Sequence, residues 1–345
     1  MANTVILGSG VIGLSTAYYL LQHQPGDSIH LVDSANELFA SASGFAGGFL
    51  AKDWFRPELM PLAELSFEEH RKLAEEENGR ERWGYAKSVT VSYEPNGPLL
   101  NGKRGEDWLL EGTSRAGVVD SRREHQDGEV PGWLRRVDGD SVSVIDDGSG
   151  TAIVDPLRFC KFLLEKVKAA GVHIHNPASA SRIETDEAGK LSGVTTCHSV
   201  YTTMDALSPE VYSRTDGVIY VAGVNHASIP LPKPTVKAVT FNESIEKLKN
   251  IARRLIATPN GEDLEIVREG LCFRPITKRG TPYIARLPED KLGEDFRSTE
   301  QAPGGVFIAS GHGPWGISLS LGTGKVVAEM MSGKPLSADI SSLGF

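Results

Sequence analysis

One hexapeptide constrains this chain more than any other feature: Gly8-Ser9-Gly10-Val11-Ile12-Gly13. The apolar run Val5-Ile6-Leu7 precedes it and mostly apolar residues 12–21 follow. Pro25-Gly26-Asp27 then breaks the pattern, and residues 29–33 resume a strand-like run. The order predicts strand, tight turn, helix, strand: a βαβ unit with its glycines at the turn. Gly8 permits the turn. Gly10 lets a pyrophosphate approach backbone N–H groups at the helix N-terminus, and Gly13 lets helix and strand pack closely. Asp33 stands 20 residues after Gly13. An acid there accepts hydrogen bonds from ribose hydroxyls and disfavours a 2′-phosphate, which argues against NADP. Gly8, Gly10, Val11, Ile12, Gly13, Asp33 and Ser34 are the candidate contacts to the adenosine half of a dinucleotide. The plain alternative is a glycine turn with no ligand.

Composition narrows the class. With 345 residues, 40% hydrophobic and 23% charged, the chain reads as globular, with about two domains and a core that needs no staples. A net charge of −9 and the lack of a basic stripe argue against a nucleic-acid partner; Arg122-Arg123 and Arg135-Arg136 are short and solvated. Cys160, Cys197 and Cys272 are odd in number and widely spaced, which suggests neither a disulfide framework nor a metal site, and fits the cytoplasm. Residues 5–21 and 305–321 are apolar but interrupted by glycines, His312 and Pro314, so no membrane span is expected.

Further along, residues 41–50 form a small-residue loop, and residues 57–78 read as one or two surface helices. Residues 85–93 alternate like a strand, and residues 94–150 are polar and Gly-rich without a resolved pattern. Asp155-Pro156 opens a helix to about Ala170. Residues 172–175 form a strand, 181–196 a hairpin and 218–222 a strand; 229–234 form a linker and 244–256 a helix. Residues 266–275 and 305–310 are read as strands, the second leading through a glycine turn into a helix that ends near Met331.

The fingerprint alone does not separate NAD from FAD. The C-terminal stretch Val306-Phe307-Ile308-Ala309-Ser310-Gly311-His312-Gly313-Pro314-Trp315-Gly316-Ile317 does. It brings a strand, a glycine turn and a helix start to one place. Its N–H groups could meet the anionic edge that a reduced flavin presents. A tight strand-to-helix turn without a ligand is the other reading.

Taken together, these stretches resemble the FAD-dependent amine oxidoreductases that include D-amino-acid oxidase, glycine oxidase and sarcosine oxidase. The resemblance rests on the N-terminal fingerprint with Asp33, the loop 41–49, the Val154-Asp155-Pro156 helix opening and the 311–316 turn. A fifth stretch, Gly270-Leu271-Cys272-Phe273-Arg274-Pro275-Ile276-Thr277 with Gly280-Thr281-Pro282-Tyr283-Ile284, carries it as well. Residues 46–54 look closest to a largely fungal branch. The implied fold is α/β: a Rossmann-like FAD-binding domain interleaved with an α+β substrate domain on a mostly antiparallel sheet. Residues 1–80, 150–200 and 301–345 would build the first, and residues 81–149 and 201–300 the second.

The implied chemistry is hydride removal from the amine-bearing carbon of a small amine or amino acid to flavin N5, with O2 as the acceptor in the oxidases. By the same likeness Ser43, Gly44, Ala46, Gly47 and Gly48 line the flavin. Gly311, Gly313, Trp315, Gly316 and Ile317 face its pyrimidine end. Arg274 would grip a substrate carboxylate, since guanidinium matches it bidentately; an ordinary salt bridge is the alternative. His312 is a catalytic candidate at the flavin edge or simply a turn histidine. Cys272 could link covalently to the flavin, but its flanks do not match the branch that does so, and a buried thiol with non-covalent FAD is favoured.

One departure stands out. The family carries a strand resembling Asp-x-Val-Val-x-Ala-x-Gly-x-Trp after the hairpin. Here Thr195-Thr196-Cys197-His198 runs almost at once into Val200-Tyr201. Residues 216–223 partly match that strand, but their flanks look like a later substrate-domain strand. A segment is therefore expected to be missing near residues 198–201, leaving strand edges unpaired and FAD held poorly. Two rivals follow: a non-catalytic or truncated FAD-fold protein with a binding or regulatory role, and an NAD-dependent dehydrogenase.

Overall fold

A computed structural model of the chain describes residues 3–94, 131–135, 137–180, 184–185, 191–193, 210–224, 229–232, 238–258, 262–292 and 304–345. In chain order the first elements are β1 (Thr4–Leu7), α1 (Val11–Leu20), β2 (Ile29–Val32), α2 (Ala42–Phe45), β3 (Phe49–Ala51), α3 (Met60–Glu76), α4 (Gly79–Trp83), β4 (Ala86–Lys87) and β5 (Thr90–Glu94). Next come β6 (Ser141–Asp146), β7 (Thr151–Ile153), α5 (Pro156–Ala169), β8 (His173–His175), β9 (Glu184–Thr185) and β10 (Leu191–Gly193). The last are β11 (Glu210–Ser213), β12 (Ile219–Ala222), α6 (Asn242–Leu255), β13 (Tyr283–Arg286), β14 (Phe307–Ser310) and α7 (Ser320–Met331).

The βαβ unit forms as its pattern predicts. β1 pairs in parallel with β2, and β2 with β8, in the order β1-β2-β8. Ile6 and Leu31 lie opposite one another and face the helices; Ile29 and Leu31 are fully buried among Leu14, Leu20, Phe159 and Leu163. Side chains alternate along a strand, so Val5, Leu7, His30, His173 and His175 share the other face. Among the described residues β1 pairs only with β2, and Val5 and Leu7 stay 42% and 47% exposed.

Helices α1, α5 and α7 pack over the sheet in one core. A Cβ on Gly324 would lie 2.5 Å from the Ser15 backbone, so α7 crosses α1 at close range. Residues 60–76 form one helix, and it is not confined to the surface. Leu62, Ala63, Ser66, Phe67, His70 and Leu73 are buried. Ser66 Oγ donates to Ser318 O at 2.6 Å and accepts from Gly322 N–H at 3.0 Å. The amphipathic spacing carried both signals, and the apolar stripe found a partner in α7.

α5 begins as expected. Asp155 Oδ1 accepts from Arg158 N–H at 3.0 Å, and Pro156 fills the first turn. The remaining sheets are antiparallel: β3-β7-β4, β5-β6, β10-β9, β11-β12 and β13-β14. β12 pairs with β11 in full register and does not join β1.

Two expectations need correction. Residues 266–275 form no strand, because no described strand lies beside them; Arg268 instead sends its guanidinium to Gly44 O at 3.1 Å. Loop 41–50 contains the short helix α2 and strand β3. The predicted junction at residues 198–201, Cys197 and most of 94–130 lie outside the described residues.

Candidate active site

The glycine turn is built for close approach. Gly8 has φ +100°, a left-handed conformation that glycine adopts without strain. A Cβ on Gly13 would lie 2.0 Å from Gly8 O, which no larger residue survives. Gly10 caps α1 without a side chain, so the first N–H groups of the helix look outward. One of them, from Val11, donates to Ser43 Oγ at 3.0 Å. The Ser43 hydroxyl thus reaches from α2 to the N-terminal end of α1.

Asp33 lies across the mouth of this turn. Its Oδ2 accepts from Ser9 N–H at 2.8 Å and its Oδ1 from Ala35 N–H at 3.0 Å. Its own N–H donates to His175 O at 2.9 Å, which anchors the loop carrying Ser34. Ser9 Oγ is buried with no partner. Outward-facing N–H groups, a hydroxyl at the helix end, an oriented carboxylate and an orphaned buried hydroxyl suit the pyrophosphate and ribose of FAD.

The residues expected on the flavin side follow. Ser43 and Gly44 belong to α2, and Ala46, Gly47 and Gly48 lead from it into β3. Tyr212 and Tyr220 face this loop. A Cβ on Gly47 would lie 2.6 Å from the Tyr212 ring and 3.1 Å from that of Tyr220. Tyr212 stacks on Phe49 with ring centres 5.5 Å apart, and Tyr220 OH donates to Phe45 O at 3.1 Å. Burial pushes the Tyr220 phenol up to about 12 and raises that of Tyr212 further. The sequence reading missed both tyrosines. Their signal was alternation in Glu210-Val211-Tyr212-Ser213 and Ile219-Tyr220-Val221-Ala222, which places them directly opposite each other.

At the C-terminal turn, Gly311 and His312 leave β14, and Gly313, Pro314 and Trp315 make one 3-10 turn before Gly316 and Ile317. α7 starts only at Ser320, so the N–H groups nearest the glycines belong to the turn and not to the long helix. Trp315 packs on Phe55 with centres 4.7 Å apart, and Ile317 enters the core. Gly313 N–H donates to Pro275 O at 2.8 Å, and Ile276 bridges His312. The segment carrying Arg274 is thereby fastened to the turn.

His312 does not fit an acid–base role. Its ring is buried and hydrogen bonds to Thr323 Oγ1 in α7 at 3.1 Å. Burial lowers its pKa to about 4, which leaves a neutral ring that joins turn and helix. Arg274 is half-buried and lies 3.9 Å from the Glu210 carboxylate. Cys272 is a free thiol in the same cluster, pushed up by burial first. A neutral thiol is a poor nucleophile, in keeping with non-covalent FAD.

Comparisons with known proteins identify the family. A family profile described as DAO, FAD dependent oxidoreductase, matches residues 3–211 and 200–330. The chain belongs to that family. It is 26% identical, over 99% of its length and 97% of the relative's, to a Schizosaccharomyces pombe protein provisionally named an oxidoreductase. That alignment runs over 395 positions against 345 residues, so the relative alone fills at least 50 of them. The profile's two stretches overlap at 200–211, beside the predicted junction. Among solved structures, glycine oxidase from Geobacillus kaustophilus is similar with a TM-score of 0.69 and 18% identity, covering 99% of this chain and 97% of its own. Iminodiacetate oxidase from Chelativorans sp. gives 0.68 and 15%, covering 99% and 98%.

The chain is an FAD-dependent oxidoreductase of this family with its α/β fold, and an NAD-dependent dehydrogenase is set aside. The family and its neighbours do not favour a non-catalytic reading. No helix among the described residues is long and apolar enough to cross a membrane.

Proposed function

We propose that the chain oxidises a small amine or amino acid, removing hydride from the amine-bearing carbon. The observation that carries this reading is the 2.8 Å bond from Gly313 to Pro275, which sets Arg274 beside the turn expected to face the flavin. Bound FAD supplies the hydride acceptor at N5. The chain's own residues bind and orient. Asp33 takes the ribose, the α1 end with Ser43 takes the pyrophosphate, and residues 46–48 and 311–317 frame the flavin. Arg274 holds a substrate carboxylate. The domains are discontinuous on this reading, with residues 1–80, 150–200 and 301–345 on the FAD side. The neighbours include a glycine oxidase and an iminodiacetate oxidase, which supports a small amino acid as substrate and O2 as acceptor. Three scattered cysteines support the cytoplasm.

FAD-loaded protein mixed without air with a panel of amines and amino acids should lose its visible flavin band with at least one of them. Peroxide on admission of air would identify an oxidase. A flavin that no member of the panel bleaches would overturn the reading.

A specific observation bears on how firmly FAD is held. β1 has one edge unpaired among the described residues. A parallel sheet is normally covered on both faces and continuous across its middle. We infer that this sheet is one strand short at β1 and that the positions found only in the relative supply that strand.

A further inference from the structure

Glu210 and Tyr212 project from the same face of β11, and Tyr220 and Ala222 stand opposite them on β12. This face meets Gly47 and Phe49 on one side and Arg274 on the other. The Phe49, Tyr212 and Tyr220 rings lie nearly parallel, at 11° and 14°. They make an apolar wall along the flavin-side loop. At its edge sit the Arg274 guanidinium and the Glu210 carboxylate, a loose ion pair at 3.9 Å, with the Tyr212 phenol donating to the carboxylate. An aromatic wall with a charge of each sign at its rim is matched by a ligand with an apolar body and both charges on its head.

We propose that Glu210 determines the substrate class by receiving the ammonium of a zwitterionic amino acid while Arg274 receives its carboxylate. This rests on the amine-oxidising reading and deepens it. Arg274 alone would accept any small carboxylate. With Glu210 beside it, a simple carboxylate displaces one acid with another and leaves two like charges close together. A zwitterion leaves each charge paired. The ammonium would also lie against the Tyr212 ring, where a cation is attracted by the π face. Neutral amines without a carboxylate lose the Arg274 contact and are poor ligands.

The test uses FAD-loaded protein and reads ligand binding from the shift in flavin absorption. The probes are glycine against acetate, and D- and L-proline against cyclopentanecarboxylate. The native chain should prefer the amino acid by about tenfold or more, the equivalent of one charge-assisted hydrogen bond. Glu210→Gln should bind the carboxylates more tightly and the amino acids more weakly, bringing the pair within about threefold. Glu210→Asp should recover part of the preference, which a merely structural role would not predict. An unchanged ratio in Glu210→Gln, with at least one amino acid bleaching the flavin of the native chain, overturns the role of Glu210 and leaves the amine-oxidising reading in place. No response to any probe, in a protein whose flavin no amine bleaches, overturns both.

Discussion

The main-chain N–H of Gly313 donates to the carbonyl oxygen of Pro275 at 2.8 Å. Thirty-eight positions of chain separate the two residues. The bond makes the end of the Arg274 segment and the start of the C-terminal turn one unit, further joined by the Ile276–His312 bridge. On the proposed reading, a substrate held by Arg274 is positioned by the same backbone that would frame the flavin.

Arg274→Ala should therefore act on binding of carboxylate substrates. It removes a charge-assisted, potentially bidentate contact, so kcat/KM should fall by about one to two orders of magnitude, mostly through KM. Arg274→Lys should recover only part, since an ammonium cannot bind bidentately. Equal kcat/KM in all three proteins would remove Arg274 from the site.

Asp33 offers a separate handle on the cofactor. Its carboxylate is already aimed by the Ser9 and Ala35 N–H groups. Asp33→Ala should weaken FAD by about 10- to 100-fold, the range of one or two charge-assisted hydrogen bonds, measured by quenching of flavin fluorescence. Unchanged affinity would mean the ribose is held elsewhere.

Two buried histidines predict an acid sensitivity. His70 lies within α3, its Nε2 bonded to Ile317 O at 3.0 Å, and burial lowers its pKa from 6.5 to about 4. His312 falls to about 4 for the same reason. In both, the unfolded chain binds the proton more readily than the folded one. Their contribution is complete above pH 6.5, is lost as pH falls from there through about 4, and changes no further below that. The loss is on the order of a few kcal/mol for each. Tm should drop steeply between about pH 6.5 and about pH 4.5. The slope should be shallower in His70→Gln, whose amide can still donate to Ile317 O. A slope unaffected by His70→Gln would assign the acid loss to other groups.

The parts of this molecule that announce themselves are those whose chemistry is local. Gly8 and Gly13 could be placed because turn and close packing depend on a few consecutive residues, and Asp33 stands at the mouth of that turn for the same reason. Asp155-Pro156 marked the start of α5 for the same reason. What stayed hidden depends on residues far apart in the chain. His312 lies in a suggestive turn, yet Thr323 and the core around it made the ring a buried anchor. Residues 266–275 have the composition of a strand and find no described partner to pair with. Tyr212 and Glu210 gain meaning only when β11 is laid on Gly47 and Arg274.

The open side of β1 gives a prediction about sequence rather than side chains. Inserting the segment that the S. pombe relative carries, at the seam between the two matched stretches, should raise FAD occupancy of the purified protein. It should also pair the open edge of β1, read as slower exchange of the β1 amides. Unchanged occupancy and exchange would mean the sheet is complete as it stands.

The most direct test of the account is the visible absorption spectrum of the purified chain, taken before and after adding FAD and removing the excess. The account predicts retained flavin bands near ~450 nm, released into solution by acid because the cofactor is not covalently linked. A protein that stays colourless after incubation with FAD, both as it stands and with the relative's segment inserted, would contradict the account.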